Sequence, residues 1–279
     1  MAGRLLRRLP LVLALSGIAF GWIGLNLDGD YFRDALAYWR PDLDNLYGGR
    51  RVGIMSTYLY SPAFAQLISP FGLLPWVAFA ALWSALNLGV LIWMVGPYVG
   101  ALLFLVPGPV GDEISTGNIH LLLAATIVVG FRYPAAWSLH LLTKITPGLG
   151  VLWFAGARQW RHLATAIGAT VAIAAISFAL APSAWFEWVE TLRLSSTIPS
   201  EEVAVIPGPL WLRAVVAAVI ALVAGWRGIR WLVPVAAVIA LPVPWSSGLS
   251  LLVASLALTR DTWEGWFRSA WSRVRPARS

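Results

Sequence analysis

The chain has 279 residues, 59% of them hydrophobic and only 12% charged, with a formal net charge of +7. Soluble domains carry about 45–50% apolar and about 25% charged residues, so there are too few charges here to clothe a water-facing surface. That excludes a disordered chain, a coiled coil and a soluble Rossmann or barrel enzyme, and leaves a protein built for a bilayer. The basic excess is mostly arginine at the ends of apolar runs, which is a topology signal rather than a nucleic-acid stripe. There is no cysteine, hence no disulfide and no thiolate chemistry. The 17 tryptophans recur at segment ends (Trp22, Trp76, Trp153, Trp160, Trp188, Trp211, Trp231), as an interfacial belt would place them.

In chain order, Arg4, Arg7 and Arg8 precede an apolar run over 9–27. No small-residue cleavage site follows, so the run reads as an uncleaved first helix with a cytoplasmic N-terminus. Residues 28–60 then turn polar and form an outer loop. Within it Tyr31, Ala35, Leu36 and Trp39 share helical spacing, which predicts an amphipathic helix on the membrane surface, ended by Pro41. A short apolar piece over 61–73 leads to a full span from Pro75 to Val95. Apolar runs follow at 97–105, 119–129, 135–154, 163–180, 210–226 and 231–258. A straight crossing needs about 20 apolar residues, and several runs are shorter or interrupted by Pro and Gly. The sequence therefore predicts an all-α polytopic transmembrane bundle of about eight to eleven membrane segments, several of them half-helices around a cavity.

Residues 1–279 read as a single integral membrane domain: first helix 9–27, outer loop 28–60, bundle 61–258 and a basic cytoplasmic tail 259–279. Arg158, Arg161, Arg227, Arg230 and the tail would be cytoplasmic. The acid-rich stretches 28–44 and 187–202 would be outside. For the parity of crossings after Pro97, one solution sends 135–145 outward, breaks at Thr146-Pro147-Gly148, and returns to Arg158.

Asp28 and Asp30 sit just past the first helix. They are either wet helix-end carboxylates or a general base or metal pair at the membrane boundary. Lys144 is the sole lysine among 20 basic residues and lies in an apolar segment with His140 one turn earlier. It either snorkels to the interface or binds a substrate anion, with His140 as a second donor. Asp112, Glu113, Asn118 and His120 form a polar island. Asn118 and His120 either cap the next helix or hydrogen-bond a sugar. Tyr58 and Tyr60 are read as interfacial belt or as a sugar-stacking surface. His120, His140 and His162 have no metal-ligand spacing, and no phosphate-cradling Gly loop or nucleophile elbow occurs.

Together these residues resemble glycosyltransferase family 87, polytopic enzymes of the GT-C class. Four places carry the resemblance in order: Asp28-x-x-Tyr31-Phe32-x-x-Ala35 closing at Leu46-Tyr47; Tyr60-Ser-Pro62 through Pro75 and Trp83; Gly117-Asn118-Ile119-His120; and Lys144-x-x-Pro147 followed by Arg158-Gln-Trp-Arg161. The third reads Gly-Asn-x-His where the family has Gly-Gln-x-Asn, and the chain resembles a shortened member. The resemblance implies a metal-independent, inverting transfer of a mannose- or arabinose-like sugar from a polyprenyl-phosphate donor to a glycan or glycolipid on the outer face of the plasma (inner) membrane. It implies no cofactor. Asp28 would be the general base, with Asp30 as the alternative, and Lys144 with His140 would hold the donor phosphate. Asn118, His120, Tyr31, Tyr60 and Asp112 would bind sugar and acceptor. The competing readings are a transporter or lipid flippase, whose broken helices and intramembrane lysine would line a substrate path, and a scaffold subunit of an envelope-assembly complex.

Overall fold

The computed structural model describes residues 32–48, 58–195 and 205–274. The first helix over 9–27, together with Asp28, Asp30 and Tyr31, lies outside the described residues. Every regular element among those described is helical. Helix α1 (Arg33–Trp39) belongs to the first loop, and α2 (Pro62–Ile68) runs into a 3-10 turn, Ser69–Leu73. Then come α3 (Trp76–Val95), α4 (Pro97–Leu105), α5 (Pro109–Thr116), α6 (His120–Gly130), α7 (Trp137–Thr143) and, after a 3-10 turn Pro147–Val151, α8 (Leu152–Gly156). The chain continues through α9 (Trp160–Leu180), α10 (Pro182–Ser195), α11 (Leu210–Arg227) and α12 (Leu232–Ile239). A 3-10 turn, Ser246–Leu252, leads to α13 (Val253–Leu258) and α14 (Arg260–Val274).

Proline and glycine set these boundaries. Pro62, Pro97 and Pro109 occupy the first turn of α2, α4 and α5, where the missing N–H costs nothing. Gly117 (φ 68°) and Gly228 (φ 70°) close α5 and α11 in the left-handed region, which glycine reaches without strain.

Among the described residues, α3, α9 and α11 alone are long and apolar enough to cross a membrane, which makes three spans, or four if α5 and α6, bent by 111° at their junction, count as one. The expected eight to eleven segments are not confirmed. The apolar runs exist, but Pro and Gly cut them into pieces too short to span singly. These pieces shuttle between two ends of the bundle. Helix α6 starts at His120 and finishes roughly 15 Å away, where Phe131 meets Trp153 edge-on at 4.9 Å. Helix α7 comes back to Lys144, whose Nζ lies 2.5 Å from His120 Nε2. The 3-10 turn and α8 then descend again to Arg158. A break at Thr146-Pro147-Gly148 followed by a return to Arg158 is one of the solutions for this stretch, whichever side of the membrane it faces.

Helix α9 buries only Ala166 and Ser177, while Ile176 and Leu180 are 65% and 72% exposed. Such a surface is tolerable only against lipid. The tryptophans divide: Trp160 and Trp211 face outward, but Trp153 and Trp188 are buried, and the Trp188 indole donates to the Leu59 carbonyl. Helix α1 is not a surface rider as expected. Phe32, Ala35, Ala37 and Tyr38 are buried, and the Phe32 N–H donates to Ser115 O at 2.8 Å. Arg213, on α11, collects the carbonyls at the end of α12, donating to Ile239, Leu241 and Pro242. Those oxygens have no helical partner.

Helices α8 and α11 touch backbone to backbone. A Cβ on Gly225 would lie 2.1 Å from Trp153 O, and one on Gly156 would lie 2.0 Å from Leu222 O. Gly225→Ala is therefore expected to destabilise the folded protein by roughly 1–3 kcal/mol, read as a fall in melting temperature. Gly168→Ala, with nothing within 4 Å of its added carbon, should leave melting unchanged or raise it slightly.

Candidate functional site

The polar end of the bundle is organised by the α5–α6 elbow. Glu113 is fully buried on α5. Its carboxylate accepts the backbone N–H of His120 and, at 3.3 Å, that of Leu121. These are two of the donors that the first turn of α6 leaves unpaired. The second carboxylate oxygen lies 2.8 Å from His120 Nδ1. An ionised carboxylate only accepts, so Nδ1 carries the hydrogen and Nε2 presents its lone pair. That lone pair receives an N–H of Lys144. Glu113, His120 and Lys144 thus form one hydrogen-bonded chain.

Lys144 reaches this position because α7 stops one residue before it, with Lys144 in an extended conformation (φ −122°, ψ 91°) ahead of Thr146-Pro147. Its Nζ also lies 5.9 Å from the centre of the Tyr60 ring, at the reach of a cation–π contact. Tyr60 is fixed by its neighbours. Tyr47 donates to the Tyr60 carbonyl at 2.5 Å, and Tyr58 donates to Ser61 O at 2.7 Å. Ser61 in turn bonds the Leu142 carbonyl at the end of α7.

A second polar line meets the first at Gly117-Asn118-Ile119-His120. The Asn118 amide donates to Asp34 at 2.6 Å, and the hydroxyls of Tyr38 and Tyr60 are bonded at 2.8 Å. Burial pushes both phenols above their ordinary range, so each stays protonated and can donate as well as accept. Gly117 lets α1 close over the elbow: a Cβ there would lie 2.6 Å from the Ala35 Cβ. The Gly117 carbonyl accepts from the Trp83 indole at 2.7 Å. Asp34 is thus the described acid of the 32–48 segment that enters the cluster.

Lys144, His120, Asn118 and Tyr60 come together as residues of one site. Two other candidate residues lie apart from this group. His140 is buried, with its Nε2 2.9 Å from the Leu123 carbonyl and its ring against Trp137, so His120 rather than His140 meets the lysine. Asp112 is exposed and bonds Ser246, whereas the next residue, Glu113, turns inward. One helical step rotates a side chain by about 100°. The available signal for Glu113 was positional: a carboxylate just ahead of a Gly turn faces the unpaired N–H groups of the helix that follows. Tyr58 and Tyr60 are buried and do not form a belt. Among the described residues no group of three or more His, Asp or Glu is arranged to hold a metal ion.

An all-helical bundle, among the described residues, with membrane-length apolar helices and a half-buried lysine beside a buried imidazole and carboxylate at one end defines a polytopic membrane protein with a polar cluster at a helix break. The profile of glycosyltransferase family 87 matches residues 58–248, which contain the elbow, Lys144 and both helices of the α8–α11 crossing. The chain belongs to glycosyltransferase family 87, as its motifs led us to expect, and is an integral membrane glycosyltransferase acting on a sugar donor and an acceptor. No curated protein and no solved structure matches the chain.

Glu113→Ala is expected to strand two backbone N–H groups and the His120 ring, costing at least about 2 kcal/mol. The neighbouring Asp112→Ala should stay within about 0.5 kcal/mol of wild type. Thermal melting of the two purified variants compares them directly, and equal losses would remove Glu113 from its organising role.

Proposed function

We propose that this glycosyltransferase moves a mannose- or arabinose-like sugar from a polyprenyl-phosphate donor to a glycan or glycolipid on the outer face of the inner membrane, with inversion and without a metal. The observation that carries this reading is the Lys144 ammonium. It is held by His120 at a break between short membrane helices, beside the docked first outer loop. A lipid-linked donor must enter sideways from the bilayer, and half-helices leave room for it. The arginines gathered at the opposite end (Arg132, Arg158, Arg161, Arg227, Arg230) support a cytoplasmic assignment of that end, with the N-terminus on the same side and the site outside.

In the proposed step the Asp28 carboxylate takes the proton of the acceptor hydroxyl, and the oxygen forms a bond to the anomeric carbon. The bond from that carbon to the donor phosphate breaks, its electron pair leaving with the phosphate. Lys144 offsets the charge that develops there, as a positioned cation does. Asp28 lies four residues ahead of Phe32, which is tied to Ser115. Asp30 is the alternative base. Asn118, His120 and Tyr60 bind the sugar, and Tyr31 is assigned to the acceptor.

The test is sugar transfer by the purified full chain from polyprenyl-phosphate mannose and from polyprenyl-phosphate arabinose. Asp28→Asn should lower kcat by about 10²-fold or more at normal membrane yield. Lys144→Ala should act mainly on donor KM, by about tenfold. Transfer undiminished in both Asp28→Asn and Asp30→Asn would rule out the assigned base. A wild-type chain inert toward every polyprenyl-phosphate sugar would rule out the donor class.

A further inference from the structure

At the end of the bundle away from Lys144, a groove of about 660 Å³ opens between the α8–α9 and α11–α12 connections. Its lining includes Arg158, Arg227 and Arg230 and no acidic residue. Three arginines therefore line one concavity, and among the described residues no carboxylate lines it with them. Two of them are oriented by aromatic faces. Arg230 lies 5.3 Å from the Phe131 ring and 5.7 Å from the Trp153 ring, and Arg227 lies 4.7 Å from Trp226. Stacking of this kind holds a guanidinium plane in place and leaves its edge donors available. The third, Arg158, has a left-handed backbone (φ 57°), a conformation that costs a non-glycine residue energy and that collects at functional sites.

The positive-inside rule accounts for arginines at this end but not for their arrangement. Arg260, at the same end, pairs with Glu264 at 2.7 Å, and Arg132 stacks on Tyr133 outside the groove. The backbone contact of Gly156 and Gly225 brings the two connections together, so the concavity is built by the same close crossing that locks α8 to α11.

We propose that this groove binds a phosphate group, with Arg158, Arg227 and Arg230 as its ligands, at a site separate from the one where sugar is transferred. A planar guanidinium donates two parallel N–H bonds to phosphate oxygens, and three of them neutralise a mono- or dianion. The phosphate belongs either to an anionic membrane lipid or to a soluble phosphate compound. The site does not depend on which sugar the enzyme moves.

The full-length protein is placed in nanodiscs and its melting temperature measured in three settings: phosphatidylcholine alone, phosphatidylcholine with phosphatidylglycerol, and phosphatidylcholine with sodium phosphate against chloride of equal ionic strength. Stabilisation by phosphatidylglycerol identifies a lipid headgroup site, and stabilisation by free phosphate in the neutral disc identifies a soluble ligand. In either case each of Arg158→Gln, Arg227→Gln and Arg230→Gln should weaken the apparent affinity by about fivefold, and the triple variant should abolish the shift. Arg161→Gln, exposed at the same end but outside the groove lining, should leave the shift intact. Absence of a shift in both settings, a shift that survives in the triple variant, or an equal loss in Arg161→Gln would overturn the proposal. Melting of each variant in neutral lipid alone separates a lost ligand from a damaged fold.

Discussion

The buried carboxylate of Glu113 is the constraint on which the rest of the site depends. An uncompensated anion has no place in an apolar bundle, and here every strong donor within reach is turned toward it: two N–H groups of α6 and the His120 ring. The same arrangement makes the α5–α6 bend possible. A helix that starts inside a membrane protein exposes donors that water cannot reach, and Glu113 replaces that water. From the elbow follow the seat of Lys144 and the Gly117 surface on which the segment around Ala35 docks.

Broken helices demand such internal partners throughout the molecule. Arg213 does for the end of α12 what Glu113 does for the start of α6, closing carbonyls where Glu113 closes N–H groups. Ser61 bonds the Leu142 carbonyl, and the Trp83 indole satisfies Gly117. These polar side chains let short segments end at depth without exposing backbone to lipid.

The two ends of the bundle carry opposite chemistry. At one, Asp34, Glu113, the tyrosines and the sole lysine form a partly covered polar cluster. At the other, arginines gather with few acids. Helix α6 joins them, running from His120 to the Phe131 ring beneath Arg230. A displacement of α6 along its axis would be felt at both ends, because the helix is anchored by Glu113 at one and by aromatic packing at the other.

Much of this was legible in the sequence because it is local. Composition dictates a bilayer protein. The positions of Pro and Gly dictate where helices start, stop and turn, and four ordered motifs place the chain in its family. The residues of the site were mostly legible too: Lys144, His120, Asn118 and Tyr60 were each singled out. What tertiary structure alone decided is which partner each one meets. Adjacent helical residues point about 100° apart, so Asp112 faces out and Glu113 in, and the packing of α5 decides which of the two is buried. His140 lies one turn from Lys144 along the chain, yet α7 packs on α6 so that His120, 24 residues away, takes the ammonium and His140 goes to Leu123. Trp153 and Trp188 end apolar runs like any belt residue, but neighbouring segments cover them. The sequence by itself determined the helices, their breaks and the family. The pairing of side chains was left to the packing, because it rests on long-range contacts that no spacing along one chain encodes.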